Sequence, residues 1–250
     1  MIRLEKLVVF KAVFSVFVFA QPAIKTGGVV NAASYAPPGL ANSGIAQGSL
    51  FVVFGKELGP AQLVQATSYP IPTELGGTSI QVTVGSVATS ALMVYTLARQ
   101  VAAILPSGTP VGQGTITVTY QGKTSPPHPI RVVRTSFGVF SHNQAGTGPG
   151  IFTDASYRVN TMTLAARPGD VITLWGTGLG PVSGREADGS LPGDLSGAVE
   201  VMVGNRPAKV LYKGRSGCCA GLDQIAFETP AGIVTVQAPL SKKLDKSGII

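Results

Sequence analysis

Apolar and polar residues alternate along several short segments of this chain. Residues 79–85 (SIQVTVG) and 115–120 (TITVTY) place every second side chain on one apolar face. A period of two is typical of a β-strand with one buried face and one solvated face. Residues 50–54 and 171–175 are apolar on both faces, which predicts two central strands. The pattern therefore predicts an all-β fold.

A segment of the sequence also occurs twice. Residues 45–60 (IAQGSLFVVFGKELGP) are repeated 121 positions later as residues 166–181 (ARPGDVITLWGTGLGP). A second block, residues 99–106 (RQVAAILP), returns as residues 223–230 (DQIAFETP). A spacing of this size indicates two copies of a domain-sized unit, each with the length and strand density of a β-sandwich of about 100 residues.

The organisation predicted from this repeat has five parts. The N-terminal part is a signal segment, because a basic start precedes a short apolar run and small residues precede Gln21. An uncleaved anchor is the alternative for that segment. The expected order is a signal segment (1–20), a first sandwich (28–134), a linker (135–149), a second sandwich (150–240) and a polar tail (241–250). The last strand of the second sandwich is expected to be degenerate, frayed or missing.

The amino-acid composition of the chain limits the classes of function and partner that we expect. Charged residues make up 12% of the chain and the net charge is +7, with no run of Lys and Arg interleaved with aromatics. Nucleic acid is therefore not expected as a partner. Nothing after residue 20 is long and apolar enough to span a membrane. Secretion, or a periplasmic or cell-surface location, follows from the predicted signal, and the expected partner is a polysaccharide or a cell-surface protein.

The two cysteines, Cys218 and Cys219, are adjacent. In an exported chain the oxidising surroundings favour a disulfide between them over two free thiols. Two sulfur atoms are too few for a zinc site, which needs about four ligands. We expect the pair to form a rigid apolar knob, and a binding surface or a redox switch is the sharper alternative.

No catalytic set is evident among the titratable residues. His128 and His142 have no nucleophile elbow beside them, and the loop carboxylates do not have the spacing of a calcium loop. We therefore expect no catalytic residue, no metal and no cofactor. A small hydrolase that uses loop carboxylates remains an alternative, and the carboxylates considered are Asp154, Asp170, Glu186, Asp188, Asp194 and Asp223.

Aromatic residues are the remaining candidates for ligand contact. Trp175, the single tryptophan, aligns with Phe54 of the first copy, which predicts a packing role in the core. Recognition residues usually lie on loops. The loop tyrosines Tyr35, Tyr69 and Tyr157 are therefore the predicted ligand-contacting side chains.

Several motifs carry a resemblance to a known repeat. VVNAASYAPPGLANSGIAQGSLFVVFGKELGP, PTELGGTSIQVTVG, PGIFT, RPGDVITLWGTGLGP and SGCCAGLDQIAFETP together span most of residues 29–238. They resemble the tandem immunoglobulin-like repeat, of the IPT/TIG type, of uncharacterised secreted proteins of soil bacteria.

The resemblance implies two non-catalytic Ig-like modules and supplies no functional residues. We expect a secreted protein that acts in adhesion, in binding extracellular polysaccharide or protein, or as a structural spacer. The alternatives are the hydrolase and a redox-active protein that uses Cys218 and Cys219.

Overall fold

A computed structural model describes residues 21–161, 163–195 and 197–232 of the 250-residue chain. The described residues form β-strands and no helix, which confirms the all-β prediction. The predictions for the signal segment, the last strand of the second copy and the polar tail lie outside the described residues.

The strands are short, and the longest, near the C-terminal end, has 10 residues. Those of the first copy are β1 (Ala23–Asn31), β2 (Ile45–Ala46), β3 (Leu50–Lys56), β4 (Val64–Gln65), β5 (Glu74–Leu75), β6 (Thr78–Val84), β7 (Val87–Ser90), β8 (Leu92–Thr96), β9 (Gln100–Ile104), β10 (Gly112–Tyr120), β11 (Lys123–Thr124) and β12 (His128–Val133). Those of the second copy are β13 (Gly138–Val139), β14 (Phe152–Thr153), β15 (Val171–Thr177), β16 (Gly193–Asp194), β17 (Val201–Val203), β18 (Arg206–Arg215) and β19 (Asp223–Glu228).

The strands assemble into three sheets. The first copy has one sheet in the order β1-β3-β9-β8-β4 and another in the order β2-β12-β10-β6-β5, with β7 and β11 on its edges. The second copy has one sheet in the order β13-β15-β19-β18-β16, with β14 paired to β15 and β17 paired to β18. The pairs are antiparallel except the short pair of β2 and β12. β3 and β15 are central strands, as their two apolar faces predict.

The two sheets of the first copy enclose a core built from alternating positions. Phe51 and Val53 of one sheet pack in the same buried cluster as Ile80, Ile116 and Val118 of the other. The period-two faces predicted for residues 79–85 and 115–120 are therefore confirmed. This sandwich-like packing puts apolar area between two sheets, where burial stabilises the fold by about 25 cal/mol per Å².

The second copy buries an equivalent face of its sheet. Ile172 of β15 and Phe227 of β19 are 2% exposed, and both pack in a cluster with Val201 and Val203 of β17. Val201 and Val203 are buried and Met202 between them is exposed, so β17 has one buried face.

The repeated glycines have a physical reason to recur. A Cβ atom on Gly55 would lie 2.2 Å from the Ala23 carbonyl oxygen, and one on Gly176 would lie 2.3 Å from the Gly138 carbonyl oxygen. Each glycine lets a neighbouring strand approach the central strand of its sheet. β3 and β15 therefore need glycine at the same position of the repeat.

The segment between the copies is part of the second sheet. Residues 135–149, expected as a linker, include β13, which pairs with Thr177 and Gly176 of β15. Asn31 of the first copy donates from Nδ2 to the carbonyl oxygens of Ser136 (3.0 Å) and Thr177 (3.2 Å). The segment thus joins the copies through hydrogen bonds as well as through the chain.

On the face of the sheet directed away from the core, one row of residues that lie opposite one another on neighbouring strands differs between the copies. In the first copy the row is Leu50, Ile104 and Leu92, which face each other across β3, β9 and β8. These side chains pack against Ala187 and Ala220 of the second copy. They form the apolar centre of the contact between the two copies. This contact is called the joint below.

The equivalent row of the second copy consists of Val171, Glu228 and Lys209. Val171 is 38% exposed and Lys209 is exposed. The same strand positions are therefore apolar and covered in one copy, but partly charged and open in the other.

Candidate functional site

The most exposed aromatic residue of the described chain is paired with the single tryptophan. Tyr157 is 75% exposed, and its ring centroid lies 6.3 Å from that of Trp175 with the planes tilted by 33°. Trp175 donates from its indole nitrogen to Thr153 Oγ1 (2.9 Å), which fixes the indole ring. Trp175 lies on the outer face of β15 and is partly exposed, so its interpretation as a core residue is wrong.

The repeat shows how this pair differs from its counterpart. Tyr35 and Phe54 occupy the same strand and turn positions in the first copy, and both tyrosines have positive φ, 47° for Tyr35 and 60° for Tyr157. Tyr35 is edge-on to Phe54 at 5.6 Å and only partly exposed, within a cluster that includes Val52. The turn is thus retained in both copies, but only the second copy presents its tyrosine ring to solvent.

A groove lies beside the Tyr157 turn. Its volume is about 620 Å³, within the range of about 300–1,000 Å³ typical of small-molecule sites. The side chains on which its chemistry depends are those of Asp154, Arg158, Asn160, Leu164, Arg167 and Asp170.

The Asp154 carboxylate orders one wall of the groove. Its Oδ1 accepts the backbone N–H groups of Ser156 (2.9 Å) and Arg158 (3.0 Å), and its Oδ2 accepts Arg158 Nε (2.8 Å). The backbone hydrogen bond from Arg158 is the main reason that the pKa of Asp154 lies below its ordinary value. Because Asp154 holds the guanidinium through one edge, the other edge of Arg158 keeps N–H donors for a ligand.

A second turn, from Arg167 to Asp170, forms the opposite wall of the groove. Asp170 Oδ2 accepts the backbone N–H of Arg167 at 2.7 Å, which leaves Oδ1 as an acceptor. Asn160 Oδ1 accepts the backbone N–H of Ala166 at 2.9 Å, so its amide N–H groups remain as donors. The groove therefore offers both hydrogen-bond donors and hydrogen-bond acceptors.

Of the other predicted aromatic contacts, Tyr69 lies at the joint. Its ring is 42% exposed, and its hydroxyl accepts the backbone N–H of Ala220 at 2.9 Å. Tyr69 and Tyr35 are therefore not brought together with Tyr157.

The cysteine pair lies close to Tyr69 in the same joint. Cys218 and Cys219 are joined by a disulfide, and both residues are exposed. Ser216 Oγ lies 3.3 Å from Cys218 Sγ and accepts the Cys218 N–H at 3.2 Å. The disulfide sits at the tip of a loop whose base, from Arg215 to Ser216 and again at Ala220, is buried.

Among the residues considered for hydrolysis, Asp154 and Asp170 line the same groove, and Glu186 and Asp223 both lie beside Arg215. His142 lies in an exposed loop, and burial lowers the pKa of His128 below its ordinary value. Asp188 is paired with Arg185 on the surface, whereas Glu186 is 5% exposed and accepts hydrogen bonds from the N–H and Oγ of Ser107. Within the described ranges, no group of three or more His, Cys, Asp or Glu side chains could hold a metal ion.

Sequence analysis missed a buried charge cluster in the joint. Arg215 is completely buried and donates from Nε to Asp223 Oδ1 (2.7 Å) and from Nη2 to the Gly48 carbonyl oxygen (2.9 Å). Asp223 Oδ2 accepts the N–H groups of Gly178 and Leu179, and Asp223 begins β19 instead of lying in an exposed loop. Burial raises the pKa of Asp223, although Arg215 and both N–H groups act against this rise.

Asp154 and Asp170 of the groove were considered only as hydrolase carboxylates, and Arg158, Asn160 and Arg167 were missed, although one signal points to the turn of residues 154–158. Ala33-Ser34-Tyr35 recurs as residues 155–157, and the second copy is flanked by Asp154 and Arg158. A repeated turn with new charged neighbours in one copy indicates a local change of role.

Comparison with known proteins assigns no relative to the chain: no protein-family model matches it, and neither does any curated protein. In the described part of the chain, no helix has the length and apolar character needed to cross a bilayer.

Proposed function

We propose that this protein is a secreted, non-catalytic binding protein whose ligand is an extracellular polysaccharide. The observation that carries the proposal is the exposed ring of Tyr157, which lies against Trp175 on the outer face of the sheet of the second copy. An aromatic ring has a negative face that attracts the C–H groups on one side of a sugar ring.

The difference between the two copies supports a binding role for Tyr157. A tyrosine retained only for packing would be covered as Tyr35 is, yet Tyr157 keeps 75% of its surface exposed. Exposed aromatic residues are common at binding sites because a rigid ring gives a large contact area at a small entropic cost.

The proposal extends to the fold family and the location. The all-β architecture with repeated strand order supports two tandem Ig-like sandwiches of the IPT/TIG type. The basic and apolar N-terminus supports export to the periplasm, the cell surface or the medium. The cysteine disulfide is compatible with that location, because disulfides persist in oxidising compartments.

The experiment is binding of the purified chain to an array of bacterial and plant polysaccharides. We expect saturable and selective binding that Tyr157→Ala weakens by about tenfold to a hundredfold, the value of burying one aromatic ring. Leu40→Ala is the control, because Leu40 is 55% exposed on the first copy and outside the groove.

Equal binding by the wild-type chain and Tyr157→Ala would show that the pair of Tyr157 and Trp175 is not the binding site. Absence of binding to every polysaccharide would refute the proposed ligand class, and a cell-surface protein would then be the partner to seek.

A further inference from the structure

We infer that the disulfide between Cys218 and Cys219 is a site of thiol–disulfide exchange, and that its reduction opens the loop that holds Tyr69 in the joint. The co-reactant is a small thiol, of the class that includes glutathione and free cysteine. The inference does not depend on polysaccharide binding, because it concerns the loop that carries the disulfide and not the aromatic pair of the second copy.

The disulfide is open to solvent, whereas the residues on both sides of it are held in place. Cys218 and Cys219 are exposed, as is Gly217 before them. Ser216 is 2% exposed and Ala220 is 7% exposed. The access of a thiolate to the sulfur atoms is one of the conditions that set the rate of exchange. The chain has no third cysteine, so the attacking thiol has to come from another molecule.

The hydroxyl group of Ser216 distinguishes the two sulfur atoms. Ser216 Oγ accepts the N–H of Cys218 at 3.2 Å, which leaves its own O–H to donate to Cys218 Sγ at 3.3 Å. A hydrogen bond to the charged form of a group favours that form, and a more stable thiolate leaves faster. The geometry therefore favours Cys218 as the leaving sulfur and Cys219 as the sulfur that is attacked.

The exchange consists of two balanced steps. In the first, an incoming thiolate forms a bond to Cys219 Sγ and the bond between the two cysteines breaks. Its electron pair leaves with Cys218 Sγ, which takes a proton from water. In the second, another thiolate attacks the sulfur of the first small thiol and releases Cys219 as a thiolate, which is also protonated. The protein gains two electrons and two protons, and two small thiols become one disulfide.

The backbone that follows the disulfide supports the joint. Ala220 donates its N–H to the hydroxyl oxygen of Tyr69 at 2.9 Å and packs in the apolar centre of the joint. The carbonyl oxygen of Gly221 accepts the hydroxyl of Thr177 at 2.6 Å. The same Thr177 oxygen accepts the N–H of Leu50 at 2.9 Å. The two residues after the disulfide therefore contact the first copy directly or through one hydroxyl group.

Reduction removes a covalent restraint from this loop. Leu222 donates its N–H to the carbonyl oxygen of Cys219 at 3.3 Å, and Ser216 donates its N–H to the carbonyl oxygen of Leu222 at 2.8 Å. These two hydrogen bonds close the loop. While the sulfur atoms are joined, the backbone of the two cysteines has few alternatives to the closed form. Freeing the backbone of one residue favours opening by roughly tenfold, so the reduced loop should release Tyr69 more often.

Amide hydrogen exchange of the full chain, followed residue by residue by NMR, measures this opening. We expect the Ala220 and Leu222 amides to exchange about tenfold faster after reduction with dithiothreitol, with both free thiols verified by intact mass. Val53 and Ile116, in the core of the first copy, should exchange equally in both states and serve as the internal control. Equal rates for Ala220 and Leu222 in the oxidised and reduced chain would overturn the link between the disulfide and the joint.

The rate of reduction by glutathione tests the chemical step. Ser216→Ala should slow this reduction by about threefold to tenfold, because the leaving sulfur loses its hydrogen bond. Ser190→Ala is the matched control, since its hydroxyl donates to the carbonyl oxygen of Gly217 in the same loop, 3.0 Å away, and not to a sulfur atom. Equal rates for these two variants would contradict the assignment of Cys218 as the leaving sulfur.

A variant without the disulfide supplies the second comparison. Cys218→Ser/Cys219→Ser should show the faster exchange of Ala220 and Leu222 with or without reductant. An effect of reductant on this variant would trace the change to something other than the disulfide and would overturn the inference. A folded wild-type chain that stays oxidised in excess thiol would overturn it as well. If the variant does not fold, the oxidised and reduced forms of the wild-type chain still decide the question.

Discussion

Arg215→Met should strongly destabilise the chain, because it removes the cation at the centre of the joint. Arg215 is completely buried, and its guanidinium bonds both Asp223 of the second copy and the carbonyl oxygen of Gly48 of the first. Glu186 Oε1 lies 4.0 Å from Nη1 of the same group. Methionine fills much of the same space but leaves two buried carboxylates without their cation.

The size of the effect follows from these contacts. Each hydrogen bond to a charged group contributes about 1.5–3 kcal/mol, so the two bonds of Arg215 give about 3–6 kcal/mol. Breaking a buried ion pair by removing one partner costs about 3–5 kcal/mol, which agrees. Asp223 retains two backbone donors, so we expect about 3–4 kcal/mol. In a protein of this size that lowers Tm by roughly 6–16 °C.

Urea unfolding followed by Trp175 fluorescence measures this loss, because Trp175 is the single tryptophan. The control is Arg185→Met, whose partner Asp188 lies at 3.3 Å and whose own side chain is 81% exposed. Exposed pairs contribute about 0–1 kcal/mol, so this variant should unfold almost as the wild type does. If Arg215→Met shifts the midpoint no more than Arg185→Met, the buried cluster does not stabilise the joint and the reasoning is refuted.

Two further predictions test features of the repeat and the loop. Gly55→Ala and Gly176→Ala should each lower stability by more than about 2 kcal/mol, because a new Cβ would collide with a neighbouring carbonyl oxygen; thermal unfolding near that of the wild type would contradict the close approach. Cys218 and Cys219 should react with a thiol-alkylating reagent only after reduction, and intact mass should show no label before it. Labelling without reduction would mean that the disulfide is absent.

The strands were the predictable part of this structure, because their signal is local. Residues 79–85 and 115–120 carry their buried face in their own alternation, and the structure buries those faces. Trp175 was misinterpreted because a central strand with two apolar faces does not reveal which face meets the other sheet. The half-buried outer face of the second copy is therefore visible only in three dimensions.

The candidate site and the joint depend on contacts between residues that are far apart in the chain. The sequence does not indicate which of these contacts form. Gly48 lies 167 positions from Arg215 along the chain, and no local pattern connects them. Tyr157 was identified correctly as an exposed aromatic residue, because its loop position was enough. The groove residues Arg158, Asn160 and Asp170 are ordinary turn residues until the chain folds them around one groove.

The row of Val171, Glu228 and Lys209 contains two charged residues. This has a consequence for the assembly of several copies of the protein. A joint between two similar units is a head-to-tail contact, and such contacts can extend into open filaments when each unit offers both surfaces. The second copy does not offer the apolar row to a further unit, because Glu228 and Lys209 would have to lose their hydration without the partners that Leu50, Leu92 and Ile104 find. Glu228 and Lys209 keep this face of the second copy in contact with water. They therefore also prevent the contact between copies from continuing from one molecule to the next.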